Sequence, residues 1–295
     1  MLNFKKVGDE RTIMSKCIIT AETTCDLPQE ILNQRNIRTI PITVITGTTQ
    51  RKDGTEIKVE ELFDYVKQTG ELPKTAAVSI EEYKEFFNEL LKEYDNVIHF
   101  SLSSNASSSY NNAYNASKEC NGVFVVDTKA LSTGQALLML KASDMLNEGI
   151  SAEEVYNKAV ELTSKVQTSF VVDTLDYLAK GGRCSSVALI ASKILKIHPY
   201  IYENDGALQV KKKYMGTLAR SLSQYVHDLA TEYKSYDKKR VFVTHSLCDD
   251  AKVVEDVIAM TKELFDFEEV IETTAGATIS SHCGKNTIGV LFIAE

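Results

Sequence analysis

Apolar and polar positions follow two rhythms along this chain, one of period two and one of helical period, and the two take turns. Cys17, Ile18 and Ile19 open a β-prone run, and residues 37–46, rich in Ile, Val and Thr, predict a second strand. Between them Asp26 is placed to cap a short helix over 28–33. Val59, Leu62, Phe63 and Val66 share one face of a helix over 58–69 that stops at Gly70. After a loop over 71–79, Ser79 and Glu82 form a capping box ahead of Tyr83, Phe86, Phe87, Leu90, Leu91 and Tyr94. Val97, Ile98 and Phe100 return to strand, and Tyr110, Ala113 and Tyr114 to helix. A buried-type strand over 122–127 precedes a long helix over 130–147, and Ser151 with Glu154 caps another that runs to about Lys165. Strand and helix in alternation predict an α/β unit, a mostly parallel sheet covered on both faces.

Near Gln167 the rhythm loosens, which places a domain boundary between 15–165 and 166–295. A strand over 169–174 and a helical turn over 175–179 lead to Lys180-Gly181-Gly182-Arg183-Cys184-Ser185, with Ser185 as cap of an apolar helix over 187–195. Residues 197–203 and 207–213 pair as a hairpin about Asp205-Gly206. Helices over 217–234 and 251–265 and strands over 241–245, 269–273 and 288–294 complete an α+β second half. Residues 275–284 read as a loop of small residues that carries His282. Residues 1–14 lack periodicity and read as a disordered lead, or as sequence ahead of a start at Met14.

The bulk figures narrow the function classes. At 295 residues the chain is long enough for two domains, and 43% hydrophobic with 25% charged residues is the balance of a soluble globular protein. A net charge of −8 argues against a nucleic-acid footprint; the tight basic cluster is Lys211-Lys212-Lys213. With no run of about 18 apolar residues and no visible secretory signal, the expectation is a cytoplasmic protein without a membrane span. Six scattered cysteines make no C-x-x-C pair, which predicts reduced thiols and no zinc site. No G-x-G-x-x-G, P-loop, H-E-x-x-H or G-x-S-x-G occurs, so no catalytic or metal-binding set is read from motifs.

The stretch that draws attention is 96–117, where Ser103, Ser104, Ser107, Ser108 and Ser109 crowd between a strand's carboxyl end and a helix's amino end. Ligands bind at that place in open α/β sheets, and hydroxyls with free helix amides hold carboxylate or phosphate. The same residues also serve as a plain serine-rich cap. Thr75, Arg183 and His282 complete a polar constellation, each with an ordinary structural reading beside it. The rival class is an acyl hydrolase using Ser104 or Cys283 with His282, although no acidic partner to orient the histidine is visible.

From Lys16 onward the sequence resembles the DegV family of fatty-acid-binding proteins. The family's D-S-T-x-D-L-P opening is matched by Glu22-Thr23-Thr24-Cys25-Asp26-Leu27-Pro28, and its T-S-Q-P-S loop by Thr75-Ala76-Ala77-Val78-Ser79. The S-S-x-L-S-G-T-Y motif corresponds to 103–110, the K-G-G-R-I-S motif to 180–185, and a downstream K-P-I/L pair to His198-Pro199-Tyr200. The C-terminal H-T-G-P-G-A-x-G corresponds to 282–289. The resemblance implies two domains with a long-chain fatty acid between them, its carboxylate held by Thr75, Ser104 or Ser103, and His282. It implies a carrier rather than an enzyme: members present the fatty acid to a separate fatty acid kinase, with no cofactor beyond the bound lipid. Arg183 and the lysines 211–213 are then the expected partner contacts. The sequence departs from the pattern at Glu22 for Asp, at 76–78, at Ser108 for Gly, at Lys285-Asn286 for Pro-Gly, and at Met215, where an Arg is usual.

Overall fold

The computed structural model describes residues 16–184 and 197–295; the lead over 1–14 and the expected helix 187–195 with its Ser185 cap lie outside the described residues. Four parallel strands form the first sheet in the order β2 (Arg38–Ile40), β1 (Cys17–Glu22), β6 (Asn96–Ser101), β7 (Val123–Asp127). Both faces of β1 are buried, as a parallel sheet covered by helices requires. The capping boxes at Ser79 and Ser151 start the helices Ile80–Leu90 and Ala152–Leu162 as the sequence predicts.

The expected strand over 37–46 is in fact two strands in two sheets. β2 ends at Ile40, because Pro41 has no amide proton with which to continue a ladder. Beyond it β3 (Thr43–Thr46) joins a separate antiparallel sheet between β4 (Thr49–Lys52) and β5 (Lys74–Ala76). Thr75, expected in a loop, thus sits on β5 opposite Val44. Asp26 is corrected too: its φ of 53° turns the chain, and the helix Gln29–Gln34 starts after Pro28 instead.

The second sheet is mixed. Its order is β11 (Ala207–Met215), β10 (Ile197–Asn204), β9 (Ser169–Val171), β14 (Ile288–Ile293), β12 (Arg240–His245), β13 (Glu269–Thr274), with the short β8 (Val166–Gln167) beside β14. Only the β12–β13 pair is parallel. Between the sheets lies the helix Thr133–Asn147, which touches β1 and β6 on one side and β12 and β14 on the other. It begins three residues later than the sequence predicts, since Lys129 and Ser132 both take positive φ. One apolar core runs across it, from Ile19 and Phe100 through Leu138 to Phe242 and Leu291. At its far end Asp144 collects Arg35, Lys239 and Arg240 at 2.7 to 2.8 Å, joining residues from both halves of the chain.

A buried charge organises the near end. Glu22 is fully buried and accepts hydrogen bonds from Tyr83 Oη (2.5 Å), Ser101 Oγ (2.7 Å), the Leu102 amide (3.0 Å) and Gln135 Nε2 (3.0 Å), with His99 Nε2 at 3.3 Å. Burial alone would raise its pKa, but the facing His99 and these donors hold it down at about 2. Two further acidic side chains fix the start of the helix Ala277–Cys283. Asp53 accepts from the Ala277 and Thr278 amides, both at 3.0 Å, and Asp26 from the Gly276 amide at 2.8 Å and from Ser132 Oγ. Burial pushes the Asp26 carboxyl up to about 8.

Replacing Glu22 by Leu leaves Tyr83, Ser101 and the Leu102 amide as buried donors without an acceptor. The expected loss of stability is about 3–5 kcal/mol, read from urea unfolding, and a loss below about 1 kcal/mol would contradict the role of the carboxylate. Asp26 predicts a pH dependence. Its folded pKa is raised, so the stability it contributes is fully present below about pH 4 and is lost as pH rises toward about 8. Asp26→Asn keeps an acceptor for Gly276 and removes the titration. The melting temperature of the variant relative to the parent is therefore expected to climb between about pH 4 and about pH 8 and then level off, and a constant difference would refute this.

Candidate functional site

Six pieces of chain meet around a cavity of about 180 Å³: the small antiparallel sheet, the loop after β6, the turn ahead of the helix Thr133–Asn147, the helix Asp176–Gly181 with the turn after it, the β10–β11 hairpin and the helix Ala277–Cys283. Thr75, Arg183, His282, Ser107 and Ser108 supply its polar lining, and Ile42, Leu102, Leu131, Leu178, Leu208 and Ile279 its apolar lining. A smaller space of about 30 Å³ shares Leu131, Ile279 and Cys283 with it and continues toward Phe170 and Leu291. Polar groups thus gather at one end of a mostly apolar path.

His282 does not sit in a loop, as the small residues around it suggest, but on a seven-residue helix. Ala-Thr-Ile-Ser-Ser shows no apolar period, and the carboxylates that meet its first amides come from Asp26 and Asp53, more than 220 residues earlier. Small side chains let this helix press against the β3–β4–β5 sheet, where Ala277 joins Val44, Ile57 and Leu62 in one buried cluster. His282 Nε2 lies 2.8 Å from Thr75 Oγ1, two residues 207 positions apart. Burial, and secondarily the nearby Arg183 charge, lowers the pKa of His282 to about 4, so the ring is neutral at pH 7.

The other face of that ring lies against Gly181. A Cβ there would fall 2.8 Å from His282 Nδ1, so the second half of the expected Gly181-Gly182 pair turns the chain while the first makes room for the ring. Arg183 follows, exposed at the cavity edge, with Nη1 donating to Gly181 O (2.6 Å) and Nε to Ala106 O (3.4 Å). The expected head-group residues Thr75 and His282, together with Arg183, are therefore brought to one place.

Ser103 and Ser104 are placed elsewhere. Ser103 is buried and donates to Gly206 O at 2.7 Å, while Asn105 Nδ2 donates to Asp205 O at 2.7 Å, so the loop grips the tip of the β10–β11 hairpin. Gly206 has φ of +84°, and a Cβ would approach Ser103 Oγ to 2.6 Å. Ser104 donates to Asp127 Oδ2 at 2.6 Å. The loop turns between β6 and the helix Ser109–Ser117, which aims its first serines at the hairpin and β7 and its later ones, Ser107 and Ser108, at the cavity. Nothing in a run of identical residue types distinguishes the two sets before the hairpin is in place.

The hydrolase alternative finds no assembled pair: His282 is bonded to Thr75, Ser104 to Asp127, and burial pushes the Cys283 thiol up to about 12. Among the described residues no group of three or more His, Cys, Asp or Glu is placed to hold a metal ion. Lys211 and Lys212 are engaged by Glu232 and Asp228, and Lys211 also lies over the rings of Tyr200, Tyr202 and Tyr233. Met215 is 66% exposed at the end of β11. Asn286 takes a positive φ of 61°, which Asn tolerates, and bonds Asp173 and Asp249, while Lys285 pairs with Asp249.

Comparison with known proteins bears on the family and the fold. A DegV domain-containing protein of Caldanaerobacter subterraneus is 30% identical over 283 residues, covering 95% of this chain and 99% of that protein. A DegV family protein from Thermus thermophilus, described for its fatty acid binding, superposes with a TM-score of 0.86 at 26% identity, over 95% of this chain and 100% of that one. A stearic acid-binding protein from Eubacterium ventriosum superposes with a TM-score of 0.83 at 27% identity, over 95% and 98%. The family model for DegV proteins matches residues 16–295, and the chain belongs to the DegV family.

Proposed function

We propose that this protein binds a long-chain fatty acid and presents its carboxylate to a separate fatty acid kinase. The observation that carries the reading is the neutral His282 joined to Thr75 at the polar end of an apolar cavity, with Arg183 as the nearby cation. A carboxylate buried there finds hydroxyl donors at Thr75, Ser107 and Ser108 and one guanidinium, and among the described residues no competing negative charge lines the cavity. The tail then follows Leu131 and Ile279 toward Phe170 and Leu291. Each methylene removed from water is worth about 0.8 kcal/mol, so the chain rather than the head group supplies most of the affinity. Related proteins described as fatty acid binding support the choice of ligand.

In this reading the units 15–165 and 166–295 are two domains with the lipid between them, in the cytoplasm, and no cofactor is used. The kinase step follows from what the sequence lacks. Phosphorylating a carboxylate needs ATP, and no nucleotide-binding motif is present to hold its phosphates with magnesium. A partner brings that site to the cavity edge, where the exposed Arg183 lies.

Mass spectrometry of lipid extracted from the purified protein is expected to show one fatty acid per chain. Thr75→Val combined with Arg183→Ala removes a hydroxyl and a cation from the head group; at about 1.5–3 kcal/mol for each bond to a charged group, affinity falls at least about tenfold. Ser104→Ala, which faces Asp127, leaves lipid content within about threefold. The reverse ranking would move the head group to Ser104. Incubation with fatty acid kinase from the same organism, ATP and magnesium is expected to give acyl phosphate. Product formed by this protein alone, or turnover of a chromogenic ester, would replace the carrier by an enzyme.

A further inference from the structure

We infer that the tip of the β10–β11 hairpin is a proton-sensitive clasp on the cavity wall: with Glu203 neutral the tip sits on the serine loop, and ionisation of Glu203 loosens it. The inference goes beyond the fatty-acid reading, and only its consequence for lipid release rests on that reading.

Glu203 and Leu208 stand opposite each other across the hairpin, and cross-strand partners share one face of a sheet. Leu208 lines the cavity and is buried in one cluster with Leu102, Leu131 and Phe170. The Glu203 carboxyl is thus carried on the apolar side of the hairpin, where it accepts from the Gly206 amide. Just beyond it the tip is tied to the first half of the chain. Ser103 Oγ donates to Gly206 O and Asn105 Nδ2 to Asp205 O, both at 2.7 Å. Tip and loop touch directly, since a Cβ on Gly206 would meet Ser103 Oγ at 2.6 Å and Lys129 Cδ at 3.2 Å.

The charges facing Glu203 are unbalanced. Asp205 from the turn and Asp127 from the end of β7 are acidic. Lys129, from the turn after β7, is the facing cation, 3.5 Å from Asp127 Oδ2 and 3.8 Å from Asp205 Oδ1. The serine loop brings the neutral Ser103, Ser104 and Asn105, and Thr168 O accepts from the Glu203 amide at 2.9 Å. One lysine therefore serves two carboxylates already, and a charge on Glu203 would be the third. Burial first, and then Asp205 and Asp127, raise the Glu203 pKa to about 7, although the Gly206 amide and Lys129 pull it down. Lifted off the loop, the carboxyl meets water and returns to the ordinary range of a glutamic acid. A proton therefore favours the seated tip. Attachment is full below about pH 4.5, weakens as pH rises toward about 7 and levels off above that.

The test follows amide hydrogen exchange of residues 203–208 in the full chain by mass spectrometry, corrected for the intrinsic rate at each pH. Protection is expected to fall at least about fivefold between about pH 5 and about pH 7 in the parent. In Glu203→Gln, whose amide oxygen still accepts from Gly206 but never ionises, it should stay constant within about twofold. Lys129→Met removes the facing cation and should move the fall to higher pH. Release of a bound fluorescent fatty acid supplies the second arm. The parent's release rate divided by that of Glu203→Gln should rise over the same pH range, and the division cancels the titration of Asp26 and of the ligand. Protection that is flat in the parent, or that falls equally in Glu203→Gln, would overturn the clasp. A pH-dependent tip with an unchanged release ratio would overturn its coupling to the cavity. Protein that takes up no fatty acid would overturn the ligand reading, while the exchange data would still decide the clasp.

Discussion

A full carboxylate charge at Glu22 lies beyond the reach of water, and the surrounding elements are placed to meet it. Its donors come from the helix Ile80–Leu90, from the end of β6, from the first amide of the serine loop and from the central helix Thr133–Asn147. An isolated buried charge is costly, whereas this one is balanced by hydrogen bonds that work only in one arrangement of four elements. The Leu102 amide matters most for function, since it sets where the chain leaves the sheet and hence where Ser103, Ser107 and Ser108 go. The glutamate stands where the family pattern has aspartate, and its extra methylene still lets it reach five partners.

The same logic recurs at the other wall of the cavity with the signs arranged differently. Asp53 and Asp26 take the first amides of the helix that carries His282, so a helix too short to be stable alone is held at its start by carboxyl groups from the first half of the chain. Asp26 is desolvated enough to hold its proton near neutral pH, and Glu22 is supplied with enough donors to lose it. Both groups are buried, and what faces them decides the outcome: His99 and several donors lower Glu22, whereas Asp26 has fewer donors and the charge of Asp53 beside it.

Two latches then close the structure around the cavity. Ser103 and Asn105 hold the hairpin tip, and Arg183 reaches from the Gly181 turn to Ala106. The serine loop is thereby shared between a structural half, which fixes the hairpin carrying Leu208, and a cavity-facing half. Placing Leu208 over the cavity and Thr75 against His282 are both consequences of contacts made more than 100 residues apart in sequence.

How much of this was legible beforehand follows from the range of each interaction. Capping boxes at Ser79 and Ser151, the helical faces, the hairpin about Asp205-Gly206 and the strand–serine–helix order are local patterns, and they appear in the structure where the sequence puts them. Thr75 and His282 as holders of one carboxylate came from resemblance, and their bond to each other came from the structure, since nothing local links residues 207 positions apart. Pro41 is a local reason for β2 to stop, but the third sheet that carries Thr75 and the helix that carries His282 were decided by tertiary structure. Short strands and a seven-residue helix gain too little from their own hydrogen bonds to announce themselves; they exist because distant carboxylates and strands complete them. So it is with the serines: composition marks the loop as a place for hydroxyl chemistry, but the hairpin and Asp127 decide which serines remain for a ligand.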